Sequence, residues 1–236
     1  MARVIAFGGS ILAPENLDPD FLETVAAALD AWSMDERILV VVGGGHPARN
    51  AIAAARGVGP DEDSLDRIGI QATRLNAATL LAFLQAEGVP THDEVPLTCH
   101  DAADLPGRVI VMGGTTPGHS TDYVGAELAK TVGADKLVIA TNVDGVYTAD
   151  PRIKPDAKRV AQCGYRHLAA IVGPAEWKEA GQAGVVDPLA VALLTGTDIT
   201  TCVVDGDDLE NLGAALEDDT FHGTRISEGA DLMEDA

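Results

Sequence analysis

The sequence predicts an α/β fold, a three-layer αβα sandwich on a largely parallel central sheet. Three observations predict it. Residues 4–7, 38–42, 109–112 and 137–140 are short, continuous apolar runs, the kind a strand buried on both faces requires. Stretches with apolar residues at helical spacing lie between them, an alternation that lays helices on both faces of a parallel sheet. Three of the runs end in glycine, at Gly8-Gly9-Ser10, at Gly43-Gly44-Gly45 and at Gly113-Gly114 with Gly118 close behind.

Taken in order, RVIAF is the first strand and stops at the first glycine turn. Asp18-Pro19 is a helix start, a capping side chain followed by proline at the first helical position, with Phe21, Val25, Leu29 and Trp32 on one face. ILVVV is the second strand, and Pro47 opens a helix carrying Arg49 and Ile52. Residues 65–84 suit a longer helix with Ile68, Leu75, Leu80 and Phe83 among its apolar positions and Asp66, Arg67 and Arg74 on other faces. The proline- and acid-rich residues 89–107 predict a loop with a short strand. Val109 to Met112 then leads through the third glycine turn to Thr121-Asp122, which opens a helix with Val124, Leu128 and Val132. The run 137–140 empties into Thr141, Asn142, Asp144, Tyr147 and Asp150, hydrogen-bonding groups suited to a nucleotide. A basic turn, a helix at RHLAAIVG, an irregular portion through Gly184, a helix at Asp187-Pro188, a last inner strand at 199–204 and a last helix at 207–216 follow. No repeat and no linker divides the chain, so residues 1–227 form one domain and the acidic tail 228–236 is expected to be disordered.

The third glycine turn points at a helix N-terminus and the second at the helix opened by Pro47; there unpaired N–H groups and the helix dipole favour an anion, and glycine lets it approach the chain. Three such turns are about what a triphosphate donor and a phosphate acceptor need together. A dinucleotide would need one. The Walker pattern is absent and no strand is followed by GxGxxG, so P-loop and Rossmann sites are disfavoured. No Ser/His/Asp arrangement is legible, and the six histidines follow no metal spacing; all read as structural except His119, which sits inside the third turn.

The 37 acidic residues outnumber the 16 basic ones, for a net charge of −21, which argues against a nucleic-acid partner. Dispersed acids of this kind imply a salty cell interior, as in a haloarchaeon, where molar salt screens their repulsion. No run is long enough to span a membrane, and the N-terminus does not resemble a signal peptide, so a cytoplasmic protein is expected. Cys99, Cys163 and Cys202, odd in number and far apart, read as reduced and structural.

The strings IAFGGS, VVVGGGHPARN, GIQATRLNA, VMGGTTPGHSTD and ATNVDGVYTADP, with VVDPLA at residues 185–190, resemble archaeal-type uridylate kinases of the amino acid kinase superfamily. The resemblance runs in order from about residue 3 to 226. It implies transfer of the γ-phosphoryl of ATP to UMP in pyrimidine nucleotide synthesis, with Mg²⁺ and a homohexameric assembly. It implies that Gly9, Ser10, Gly45 and Arg49 hold ATP phosphates, and that Thr141, Asn142, Tyr147 and Asp150 surround its adenosine. It implies a UMP site of Gly44, Asp66, Gly114, Thr115, Thr116, Pro117, Gly118, His119 and Ser120. Asp66 suits ribose, because a carboxylate accepts from both hydroxyls. Asp122 corresponds to an acidic residue that orients catalytic groups, and it also stands where a helix N-terminus favours a carboxylate. No metal-ligating side chain is assigned. The UMP part is mainly N-terminal and the ATP part mainly C-terminal. One position departs: many relatives carry lysine two residues before the first glycine turn, and Ala6 stands here, which leaves Arg49 as the candidate cation. Other small-anion kinases of the superfamily, for isopentenyl phosphate or carbamate, and a non-catalytic oxyanion storage protein on the same fold, are the alternatives.

Overall fold

The computed structural model describes residues 2–149, 153–176, 185–217 and 219–230. Strand β1 (Ala2–Phe7) leads through helices α1 (Gly9–Leu12) and α2 (Pro19–Trp32) to β2 (Arg37–Val42). Helices α3 (Gly45–Arg56), α4 (Glu62–Ala86) and α5 (Cys99–Asp104) precede β3 (Val109–Met112), and α6 (Thr121–Val132) connects it to β4 (Lys136–Thr141). Then come β5 (Gln162–Cys163), α7 (Tyr165–Val172), α8 (Pro188–Leu194), β6 (Thr200–Asp205), α9 (Leu209–Glu217), β7 (Thr224–Ile226) and a closing 3-10 turn (Glu228–Ala230).

The sheet runs β3-β2-β1-β4-β6-β7-β5. The first five are parallel, β7 is antiparallel to β6, and β5 is parallel to β7. Because strand side chains alternate, one set of inner residues (Val4, Ala6, Leu39, Val41, Ile110, Met112) meets α5 to α8, and the other (Ile5, Phe7, Val40, Val42, Val109, Val111) meets α2, α4 and α9. The predicted three layers are therefore present. Successive strands step from β1 outward to β2 and β3, and the chain then crosses back to β4 on the other side of β1. Strand order reverses between β1 and β4, the place where open α/β sheets hold ligands.

Scarce cations close helix ends at the opposite edge. Lys136, buried at the start of β4, donates to the carbonyls of Ala215 (3.1 Å) and Leu216 (2.8 Å) at the end of α9. Arg37 at the start of β2 donates to Ala103 (3.0 Å) and Leu105 at the end of α5. Both satisfy terminal carbonyls and meet the negative end of a helix dipole.

Several expectations are corrected. The short strand expected within 89–107 is instead helix α5, started by Thr98, whose hydroxyl accepts from the Asp101 N–H at 3.1 Å. Helix α3 begins at Gly45, two residues before Pro47. Leu75, expected on an apolar face, is 62% exposed. Strands β5 and β7 have two and three residues, too few to show a period. The tail is not wholly disordered: Glu228 accepts from the Gly196 N–H at 2.6 Å and Ala230 is buried, while residues 231–236 lie outside the described residues, as do 177–184 of the expected irregular portion. All three cysteines are buried, and among the described residues no helix is long and apolar enough to cross a membrane.

The edge strand β3 is held by a histidine. His92 Nε2 accepts the Val111 N–H at 2.8 Å, which assigns the ring proton to Nδ1, facing the Glu94 carbonyl at 2.8 Å. Burial pushes the His92 pKa below its ordinary value of 6.5. The unfolded chain therefore takes up this proton first, so stability present above about pH 6.5 is lost as pH falls toward the folded-state value. Denaturant midpoints measured from about pH 7.5 down to 5 should fall less steeply in His92→Gln, which keeps an acceptor that does not titrate.

Candidate active site

The three glycine turns lie at the carboxyl ends of β1, β2 and β3, and the first two interlock. A side-chain carbon on Gly9 would lie 2.6 Å from Gly45 Cα and 2.8 Å from Gly44 N, and one on Gly43 would lie 2.8 Å from Gly9 Cα and 3.0 Å from Thr121 Oγ1. No side chain fits there. Gly45 takes φ +60°, a conformation in which L side chains are strained. The loop after β4 joins on the other side, where the Gly8 N–H donates to the Ala140 carbonyl at 2.8 Å and a Gly8 side chain would come within 3.8 Å of Thr141 Cα. Along the rim the order is therefore third turn, second turn, first turn, Thr141 loop.

Helix α4 grips the third turn. The Gly114 N–H donates to Thr73 Oγ1 at 2.6 Å, and the Gly118 N–H donates to Asp66 Oδ2 at 2.6 Å. Burial first, and then Glu62 and Asp63, raise the Asp66 pKa above the usual carboxylate range, against the pull of the Gly118 bond. Thr115 and His119 each present a buried polar atom, Oγ1 and Nδ1, without a hydrogen-bond partner among the described residues. The His119 ring stacks on Tyr123 with centroids 3.9 Å apart. Ser120 caps α6, accepting from the Tyr123 N–H at 3.1 Å, and its hydroxyl also bonds Asp187.

Asp122 stands in the first turn of α6 and accepts from the Asp187 N–H at 3.1 Å. Desolvation, and then the nearby Asp187 carboxylate, push its pKa up to about 7, against that hydrogen bond. Asp187 is a residue that sequence reasoning missed as a site residue. It reads as a helix cap before Pro188, and it does cap α8, accepting from the Leu189 N–H at 2.8 Å. Its second oxygen, bonded to Ser120, is the part that sequence could not display.

The sequence-predicted donor residues are split. Gly9 and Ser10 begin α1, Gly45 begins α3, and Arg49 lies one turn further along α3, exposed. Thr141 ends β4, Asn142 is exposed, and Asp150 lies outside the described residues. The Tyr147 hydroxyl donates to Asp144 at 2.9 Å, and Asp144 also pairs with His222 Nε2 at 3.0 Å. Those bonds, His222 first, hold the Asp144 carboxyl below its usual range. His222 is thus engaged with this loop, a partnership between residues 78 apart that no local pattern reveals. Ala6 is fully buried, and a side-chain carbon on Gly125 of α6 would lie 3.0 Å from its Cβ, so α6 packs closely over this position.

Removing the neighbouring charge should lower the Asp122 pKa. In Asp187→Asn, the carboxyl-carbon resonance of Asp122, expected to titrate near 7 in the parent, should show a midpoint about one unit or more lower. An unmoved midpoint would assign the shift to burial alone.

The sequence pattern of the amino acid kinase family matches residues 1–205. Over 233 residues the chain is 44% identical to the uridylate kinase of Methanococcoides burtonii, covering 96% of this chain and 97% of that one. It is 41% identical over 229 residues to the uridylate kinase of Haloquadratum walsbyi, covering 96% and 93%. The crystal structure of uridylate kinase from Archaeoglobus fulgidus superposes with a TM-score of 0.85 at 36% identity, over 96% of this chain and 100% of that one. UMP kinase from Bacillus anthracis superposes at 0.80 with 22% identity, a likeness of fold. The chain belongs to the amino acid kinase family and groups within it with the archaeal uridylate kinases.

Proposed function

We propose that this protein is a UMP kinase, transferring the γ-phosphoryl group of ATP to UMP to give UDP. The observation that carries the reading is the interlock of Gly9 with Gly44 and Gly45, which sets a donor and an acceptor turn backbone to backbone. UMP belongs on the third-turn side, with Gly44, Asp66 and residues 114–120. ATP belongs on the other, with Gly9, Ser10, Gly45, Arg49, Thr141, Asn142, Tyr147 and Asp150. The two nucleotides then meet phosphate to phosphate. This assigns acceptor binding mainly to the N-terminal part of a single domain and donor binding mainly to the C-terminal part.

The chemistry needs no covalent intermediate. A phosphate monoester with a second pKa near about 6 is already an anionic nucleophile at neutral pH, so the protein's task is alignment and charge neutralisation. Backbone N–H groups of the turns bind the phosphoryl oxygens. Arg49, exposed and uncommitted among the described residues, supplies the cation that Ala6 does not. Asp122, fixed by the Asp187 N–H, orients the groups at the transfer point. Asp66 has one oxygen engaged by Gly118 and a second available to a ribose hydroxyl. A divalent cation, Mg²⁺ in our reading, neutralises phosphate charge when bound. Asp122 and Asp187, which meet through the Asp187 N–H, are the carboxylates that would face such a cation beside the phosphates. The acidic surface fits work in molar salt inside a haloarchaeal cytoplasm, in a homohexamer.

A coupled ADP-release assay with MgATP in molar KCl should show turnover with UMP and little with CMP, isopentenyl phosphate or carbamate. Turnover with one of the others in place of UMP would overturn the reading. Arg49→Ala should reduce kcat/KM for ATP by on the order of a hundredfold, and a near-normal variant would remove Arg49 from its role.

A further inference from the structure

We infer that Asn76 and Arg74, two residues apart on α4, are positioning residues that set the direction of the anion-binding amides in the second and third turns. The inference rests on the reading of those turns as phosphate sites. Asn76 is 1% exposed, and its Nδ2 donates to the carbonyls of Gly43 (2.9 Å) and Gly44 (3.2 Å). Arg74 donates through Nε to the Gly114 carbonyl (3.2 Å) and through Nη2 to the Thr115 carbonyl (3.5 Å).

A trans peptide points its C=O and the following N–H in opposite directions, and the described chain contains no cis bond. Holding four carbonyls toward α4 therefore turns the N–H groups of Gly44, Gly45, Thr115 and Thr116 away from it. None of these four N–H groups has a hydrogen-bond partner among the described residues. Gly44 takes φ −81°, ψ −26° and Gly45 φ +60°, which leaves the successive N–H groups of Gly44 and Gly45 for an anion, while the next one, on His46, donates to the Ala13 carbonyl at 2.9 Å. In the third turn the labour is divided. Gly114 and Gly118 give their N–H groups to Thr73 and Asp66 and anchor the loop, while Thr115 and Thr116 keep theirs. Thr115 Oγ1 and His119 Nδ1, buried and without a partner among the described residues, point independently to a polar ligand here. Glycine peptides flip at little steric cost, and a flipped peptide would present a carbonyl oxygen to the anion. Asn76 and Arg74 oppose that flip from behind, without touching substrate.

The test compares Arg74→Met, Arg74→Lys and Asn76→Asp with the parent by steady-state kinetics, and follows amide resonances as inorganic phosphate is added. Arg74→Met should raise KM for UMP by about tenfold or more while KM for ATP stays within about twofold, with part of the loss recovered in Arg74→Lys. Asn76→Asp, which sets an acceptor against two carbonyls, should raise KM for both nucleotides. Inorganic phosphate should shift the Thr115 and Thr116 amides in the parent but not in Arg74→Met. An Arg74→Met enzyme with unchanged KM for UMP, or with phosphate shifts like the parent's, overturns the inference. If the parent itself fails to use UMP, the proposed function falls, and the phosphate titration still decides the role of Arg74. If Asn76→Asp does not fold, the Arg74 pair decides alone.

Discussion

The approach of the backbone at Gly9 to the backbone at Gly44 and Gly45 is the constraint on which the rest of the site depends. Neighbouring parallel strands lie about 4.8 Å apart, and β1 and β2 each turn into a helix directly at their ends. Two such turns fit side by side when neither carries a Cβ. The two backbones then lie against each other, and the third turn and the Thr141 loop extend the same rim in opposite directions. In the proposed reading the phosphate site is made of main chain, so its precision comes from packing beneath it. The parallel register of β1 with β2 and β4, and the apolar layers on both faces, hold the rim still.

Charge gives the same arrangement a second rationale. A protein of net charge −21 that handles two polyanionic nucleotides faces long-range repulsion. Salt screens that field over a few ångströms at molar concentration, but contact must still be favourable. Neutral amides and helix N-termini supply local positive potential without adding to the cation count. The few basic side chains are largely occupied elsewhere: Lys136 and Arg37 on helix ends, Arg3 with Glu36 and Arg108 with Asp30 near the opposite edge of the sheet. Ala6 belongs to this pattern as an uncharged, buried side chain against which α6 packs through Gly125.

Much of this was legible in the sequence, for identifiable reasons. Buried parallel strands must be continuously apolar, so β1, β2, β3, β4 and β6 stood out, and the glycine turns stood out because a Cβ-free backbone has few substitutes. Helix α5 was hidden by the prolines around it, and β5 and β7 by their length. The site was legible where it is local. Gly9, Gly45 and the turn 114–120 follow directly on β1, β2 and β3, as their strings place them in the chain. It was illegible where it is made by tertiary contact: Asp187 was masked by its own cap role, and Asn76 and Arg74 lay in a helix whose pattern reports burial but not which carbonyl a side chain reaches. His222 pairs with Asp144 across 78 residues, beyond any periodicity.

A crystal structure with UMP and a non-hydrolysable ATP analogue bound together shows where the two phosphate groups meet. Tail-to-tail binding across the interlocked turns predicts the UMP phosphate at the amides of Gly44, Thr115 and Thr116. It also predicts the γ-phosphate beside it, at Gly9, Ser10 and Gly45. Nucleotides bound on opposite faces of the sheet, or phosphates remote from these turns, would contradict it.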